Sequence, residues 1–339
     1  MKNENYIGKE ATYYHPTEWG VACDLCPNEC NLKDGQYGLC HSRTNHHGKL
    51  YSVVYGKPCA IAVDPIEKKP LLHFYPGSKC LSIACTGCNL ACRNCQNWEI
   101  SQAKPTEVRH MDLPPEKIIE QCKKQKINIL AFTYTEPLTY FEYVYDTFAL
   151  AKQNGIKTVL VSAGYVNEEP IKKLTTVLDA ANIDLKSFSD ELYRQINHAH
   201  LQPVLNTLLA CKEANVWLEI TNLLIPNVNT DEMLIRTMCR WLVKHGFADT
   251  PLHFSRFFPQ YQMENAYPTP IQDMWKAKEI AEREGMHYVY LGNVTEADGE
   301  NTYCAHCHRL LIKRESYHVE KDTIIDKCPF CGSKISGRF

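Results

Sequence analysis

The sequence predicts an α/β chain in which a partial (βα) barrel lies between an N-terminal cysteine-rich module and a C-terminal zinc-ribbon-like module. Short β-branched runs alternate with longer amphipathic stretches from about residue 80 to 294, the pattern of a parallel sheet with crossover helices. Seven such runs are visible, too few for a closed eightfold barrel. Of the 17 cysteines, all but Cys59, Cys80, Cys122, Cys211 and Cys239 fall into three groups.

The strand-like runs cover residues 81–84, 127–133, 158–162, 177–184, 216–221, 252–255 and 288–291. Helical patterns cover 114–124, 141–153, 169–176, 203–214, 231–245 and 271–284. Residues 1–76 are turn-rich and form the first module, 77–295 the barrel and 302–339 the last module, reached through a polar linker at 296–300. In parallel α/β folds ligands sit at the carboxyl ends of strands, so those ends are where site residues are sought.

Composition narrows the function. Hydrophobic content of 44% and charged content of 22% are those of a globular protein. A net charge of -2 creates no field that recruits nucleic acid or membrane. The polar start, Met1 to Asn5, carries no secretory signal, and no run approaches the ~20 apolar residues of a membrane span. The chain is therefore expected in the cytoplasm, where thiolates bind metal more often than they pair. The five scattered cysteines read as small buried hydrophobes.

Directly after the first barrel strand come Cys85, Cys88, Cys92 and Cys95. Cys88, Cys92 and Cys95 have C-x3-C-x2-C spacing, a loop able to set three thiolates around one cuboidal cluster and leave its fourth iron open to a small molecule. Two other readings remain at this point: a zinc site that also uses Cys85, and a ferredoxin-type cluster with four thiolates.

The outer groups also read as metal sites. Cys304/Cys307 and Cys328/Cys331 are two C-x2-C knuckles about twenty residues apart, the spacing of a zinc ribbon. A rubredoxin-like iron is the rival; haem attachment at Cys304–His308 is disfavoured by the second knuckle and the missing export signal. Cys23, Cys26, Cys30 and Cys40 fit either zinc or an auxiliary iron–sulfur cluster. A cluster there could relay electrons inward, whereas zinc would only staple the module.

Several segments together resemble the radical S-adenosylmethionine (SAM) superfamily. They are Cys26-Pro27, Gly35 to Cys40, Asp64 to Gly77, the cluster loop through Trp98, and Thr133 to Pro137. More closely, the chain resembles the radical SAM member of the AmmeMemoRadiSam set, related to pyruvate formate-lyase activating enzymes. The resemblance implies a [4Fe–4S] cluster on Cys88, Cys92 and Cys95, bound SAM, reductive cleavage to a 5′-deoxyadenosyl radical, and hydrogen abstraction from a substrate that is not identified. It implies an electron donor such as flavodoxin or ferredoxin, and companions of the Memo-like and AMMECR1-like types. The rivals are a glycyl-radical activase and, in another class, a non-catalytic electron carrier or nucleic-acid binder.

The same resemblance assigns SAM-binding roles to Glu136, Ser162, Asp184 and Lys186, each at a strand end. Glu136 would take the SAM ammonium, or else only cap the helix that begins at Pro137. Ser162 would bond the ribose or carboxylate, or sit in an ordinary turn. Asp184 and Lys186 would face SAM, or form a surface ion pair. Thr221-Asn222, Ile225-Pro226-Asn227, His253 and Arg256 are further strand-end residues that would line the substrate side, or else serve in core or loop. Asn94 departs from the family, which commonly has an aromatic before the last cysteine, so Trp98 or another ring would take that place beside adenine. Cys85 lies outside the triplet and is expected to stay unligated.

Overall fold

The computed structural model of the protein describes residues 7–294, 298–321 and 326–339. The polar stretch at 1–6 and residues 296–297 of the linker lie outside the described residues.

The core is one eight-stranded sheet: β1 (Ala60–Pro65), β2 (Lys79–Ala84), β3 (Ile129–Phe132), β4 (Lys157–Ser162), β5 (Ala180–Asp184), β6 (Trp217–Leu224), β7 (Leu252–Arg256) and β8 (Val289–Gly292). The strands follow one another in space as they do in sequence. From β2 to β8 every pairing is parallel. The first and last strands of this order do not pair, so the sheet stays open, as the seven-run pattern predicts. Crossovers run through α1 (Pro115–Gln125), α2 (Phe141–Gln153), α3 (Glu168–Thr175), α4 (Leu201–Glu213), α5 (Glu232–Lys244) and α6 (Ile271–Arg283).

β1 is the strand that sequence periodicity does not show. It pairs antiparallel with β2 at the sheet edge, ends in Pro65, and leaves Val63 exposed. An edge position tolerates the proline and the weak apolar pattern that a central strand would not.

Side-chain alternation explains why one end of the sheet is open. Ile129, Ala131, Val159, Ala180 and Trp217 point to one face and pack on Ile66, Leu71 and Phe74. Their neighbours Leu130, Phe132, Leu160, Ala181 and Ile183 belong to the larger core formed with the helices. Burying each such Leu, Ile or Phe contributes about 1.5–3 kcal/mol. The segment Ile66–Phe74 plugs only the lower part of the inner face. Continuing the same parity toward the carboxyl ends, Val161 packs on the rim of this cluster, and the polar Thr133, Asp184, Thr221 and Ser255 beyond it line a cleft. Apolar residues below and polar residues above are the period of 2 read along one face.

Small antiparallel sheets flank this core. Residues Tyr14–Thr17, Gly20–Cys23 and Asn31–Leu32 form one, and Lys9–Glu10, Lys49–Ser52 and Arg43–His46 another. The sequence shows this region only as turn-rich, because its strands are two to four residues long. A third, Thr302–Tyr303, Leu310–Glu315 and His318–Lys321, carries the last cysteines.

Buried polar contacts tie these pieces to the sheet. Arg43 Nη2 donates to both carboxylate oxygens of Glu142 on α2, at 2.7 and 2.8 Å. His73 Nδ1 lies 2.6 Å from the Ser336 carbonyl, and Arg314 Nη2 donates to the Leu72 carbonyl at 2.7 Å. No helix among the described residues is long and apolar enough to cross a membrane.

Candidate functional site

The loop after β2 carries Cys88, Cys92 and Cys95, and backbone contacts hold it against other elements. Gly87 N donates to the Ile100 carbonyl at 3.0 Å, Ala91 N to Asn197 at 3.1 Å and Arg93 N to Ile196 at 2.9 Å. Gly87 has φ +107°, and a Cβ there would stand 2.2 Å from Ser42 Oγ and 2.3 Å from the Cys40 carbonyl oxygen. Only glycine meets both demands.

All three cysteines line the cleft at the carboxyl ends of the strands, which holds about 300 Å³. This is the lower end of the range for small-molecule sites. Each sulfur has a polar neighbour: Leu90 N at 3.4 Å from Cys88, Asn197 Nδ2 at 3.1 Å from Cys92, and Ser101 Oγ at 3.2 Å from Cys95. Burial pushes the thiols of Cys88 and Cys92 up, the nearby Glu136 adding to it at Cys88, while Lys186 and Asn197 oppose it at Cys92. A bound cationic centre reverses that order and deprotonates its ligands.

The three sulfurs do not gather within 4.8 Å of one another. Cys85 is fully buried, with Sγ 3.5 Å from the Val54 carbonyl, and does not line the cleft. A single zinc ion on all four is thereby disfavoured, and three spread thiols at an open cleft fit a cluster with one free iron. Of the scattered cysteines, Cys80, Cys122, Cys211 and Cys239 are fully buried and Cys59 half-buried.

The strand-end residues converge on the same cleft: Glu136, Ser162, Asp184 and Lys186 all line it. Glu136 is 1% exposed. Its Oε1 accepts from Leu138 N at 3.1 Å and Ser162 Oγ at 2.7 Å, and its Oε2 from Ala163 N at 2.8 Å. It does cap the short helix at Pro137–Tyr140, yet three donors leave lone pairs free on a carboxylate. Burial raises the Glu136 carboxyl above its ordinary range, against the hydrogen bonds from Ser162, Ala163 and Leu138. Ser162 also accepts from Gly164 N at 2.9 Å, which fixes its hydroxyl toward Glu136. Ser162 is thus a positioning residue for the carboxylate.

Lys186 Nζ donates to Asp184 Oδ2 at 2.9 Å, with both side chains about a quarter to a third exposed. Burial works against the Lys186 ammonium, but Asp184 and Cys92 outweigh it and hold its pKa above the ordinary lysine value. The pair is therefore part of the cleft wall and not a solvated surface bridge.

Of the strand-end residues expected on the substrate side, Thr221 lines the cleft and the others do not. His253 is buried and paired with Glu219 at 2.7 Å. Asn222 donates to the Leu185 carbonyl at 2.6 Å, and Arg256 Nε to the Thr269 carbonyl at 2.7 Å. Trp98 stacks on Tyr261 with ring centroids 5.2 Å apart and is not part of the cleft wall. Asn94 is, and its buried Oδ1 has no hydrogen-bond partner.

Sequence reasoning misses three participants. Tyr134 lines the cleft at φ +68°, its hydroxyl on Asp64 and its ring 4.6 Å from Lys69 Nζ. Lys68 also lines it. Asn197 reaches Cys92 from an irregular helical turn more than a hundred residues away. Lys68 and Tyr134 lie in the segments Asp64 to Gly77 and Thr133 to Pro137 that carry the family likeness, which is the signal for them; none marks Asn197.

Comparison with known proteins agrees with this geometry. Residues 82–238 match the model of the Radical SAM superfamily. The chain is 42% identical over 331 residues to the uncharacterized protein MJ0808 of Methanocaldococcus jannaschii, covering 96% of this chain and 98% of that one. It is 25% identical over 222 residues to the pyruvate formate-lyase 1-activating enzyme of Escherichia coli K12, covering 59% of this chain and 87% of the relative. In fold it is similar to Streptococcus suis SuiB bound to S-adenosylmethionine, with a TM-score of 0.51 and 13% identity over 71% of this chain and 56% of that one. An open sheet with three cysteines after its first parallel strand, and the match of residues 82–238 from β2 through β6 to the family model, show that this chain contains a radical SAM domain.

Proposed function

We propose that the chain is a radical SAM enzyme whose Cys88, Cys92 and Cys95 hold a [4Fe–4S] cluster and whose cleft binds SAM against its open iron. The observation that carries this reading is the convergence of the three thiols with Glu136, Asp184 and Lys186 on one cleft, while Cys85 is turned into the core. When bound, the cluster and SAM supply reductive cleavage of the sulfonium to methionine and a 5′-deoxyadenosyl radical, which takes hydrogen from the substrate.

The residues of this chain bind and orient. Glu136, aimed by Ser162 and Ala163 N, accepts from the SAM ammonium, a charge-assisted contact. Lys186 and Asp184 offer one cation and one anion at the strand end beyond Cys92, suited to the carboxylate and hydroxyl groups of SAM. Asn94 Oδ1, buried without a partner, accepts from an exocyclic amine such as that of adenine. Asn197 and Ser101 hold the cysteine sulfurs by hydrogen bonds.

Cys304, Cys307, Cys328 and Cys331 act as a structural zinc site in this reading. Their sulfurs all lie within 4.8 Å, with Cys304–Cys331 and Cys307–Cys328 at 3.7 Å. A Zn–S bond of about 2.3 Å in a tetrahedron gives edges of roughly 3.8 Å.

Anaerobic reconstitution followed by reduction with dithionite and SAM tests the proposal. The expected product is 5′-deoxyadenosine, abolished in Cys92→Ala. A fully iron-loaded protein that leaves SAM intact would overturn it.

A further inference from the structure

We propose that Cys23, Cys26, Cys30 and Cys40 bind a second [4Fe–4S] cluster, placed against the loop of the first so that electrons enter through it. All four cysteines line one cavity with Gly38, Arg43 and Asn89. Three of them are buried and Cys30 is half-buried.

Spacing separates cluster from zinc. The C-terminal cysteines close to within 4.8 Å, as one tetrahedral ion demands, but no three of these four sulfurs do. A cuboidal cluster puts each thiolate on a different iron and so spreads them wider than a single ion can. Gly38 lies between Cys30 and Cys40, where a Cβ would stand 3.7 Å from both sulfurs, an ordinary contact.

Two buried polar atoms at this cavity lack partners. Arg43 is 1% exposed and its Nη2 is held by Glu142, yet its Nη1 has no hydrogen-bond partner. Asn89 Oδ1 is likewise buried and unpaired, while the Asn89 amide lies beside the Cys26 thiol. Asn89 Oδ1 is an acceptor and gains nothing from an anionic cluster, but Arg43 Nη1 is a donor, and leaving a donor orphaned in the interior is costly. A cluster with four thiolates is an anion whose sulfurs accept hydrogen bonds, and Arg43 Nη1 is a donor placed to supply one.

Position gives the site its role. Asn89 borders the cavity, and its sequence neighbours Cys88 and Leu90 line the SAM cleft, so one stretch of loop is the wall between them. Asn28 Nδ2 donates to the Asn89 carbonyl at 2.8 Å, and the Cys40 carbonyl oxygen abuts Gly87. One electron enters from a reduced donor of the flavodoxin or ferredoxin class, which is oxidised by one electron. It leaves to the cluster on Cys88, Cys92 and Cys95, and no bond is made or broken at the N-terminal site.

This inference rests on the radical SAM reading for its role but not for its occupancy. The test is the full chain carrying Cys88→Ala, Cys92→Ala and Cys95→Ala together, reconstituted anaerobically, with iron, sulfide and zinc counted. The expected result is about four irons and about four sulfides per chain, with a reduced-state EPR signal that SAM does not alter. No iron, or a second zinc beyond the one at Cys304, Cys307, Cys328 and Cys331, would overturn the second cluster and leave the SAM reading untouched. For the relay, Cys30→Ala is compared with wild type in stopped flow, using reduced flavodoxin and dithionite as donors. The flavodoxin-to-dithionite rate ratio should fall at least tenfold; an unchanged ratio would overturn the relay.

Discussion

Glu136→Gln separates a carboxylate that binds SAM from one that merely caps a helix. The carboxylate takes three donors, from Leu138 N, Ser162 Oγ and Ala163 N. A glutamine keeps one acceptor oxygen and turns an NH2 toward one of those donors. Hydrogen bonds to a charged group contribute about 1.5–3 kcal/mol each. If the same carboxylate holds the SAM ammonium, the neutral amide forfeits one such contact, which converts to a loss in SAM affinity of roughly 10- to 150-fold. Ser162→Ala removes only the aim and leaves the charge, so its loss should be smaller, about tenfold or less. Equilibrium dialysis with labelled SAM on iron-loaded protein reads both. Iron-replete Glu136→Gln that binds SAM within twofold of wild type would refute the ligand role and leave the capping role alone.

Three further outcomes are expected. Asn197→Ala deletes an N–H···S contact to Cys92 and should shift the potential of that cluster downward by on the order of 20–60 mV in an EPR redox titration; an upward shift would contradict it. Arg43→Met leaves buried Glu142 without its cation and should cost about 3–5 kcal/mol in denaturant unfolding, most of it recovered in Arg43→Met/Glu142→Leu; equal stability of single and double variants would contradict the pairing. Burial lowers the imidazole of His73 to about 4, so it stays neutral in the folded state. Its contribution is present above the unfolded value near 6.5 and is lost as pH falls toward 4, about 2 kcal/mol between pH 7 and pH 5. His73→Gln should flatten that slope, and an unchanged slope would count against the assignment.

Much of this molecule is legible in its sequence. The seven parallel strands show because buried strands keep β-branched runs, and the partial barrel follows from their number. The cysteine sets show because ligand spacing is local. What does not show is the arrangement that depends on sheet parity and on distant segments. β1 hides behind its edge proline. His253 sits at a strand end yet points inward to Glu219, since the plug Ile66–Phe74 covers that depth of the inner face. Trp98, the ring expected near adenine, stacks on Tyr261. Asn197 bonds Cys92 and Arg43 bonds Glu142 from about a hundred residues away, and no pattern within either segment announces it. The choice between zinc and cluster at the N-terminal cysteines is likewise invisible to spacing, because it turns on how far apart the fold holds the four sulfurs.

The most direct measurement is the EPR spectrum of the reduced, reconstituted protein with and without SAM. To read one site at a time it is recorded on a variant lacking the N-terminal ligands Cys23, Cys26, Cys30 and Cys40. A cluster open at one iron predicts a low-spin signal whose g-values move when SAM is added and that vanishes in the additional variant Cys92→Ala. A signal that ignores saturating SAM would contradict the central claim that Cys88, Cys92 and Cys95 leave an iron free in the cleft.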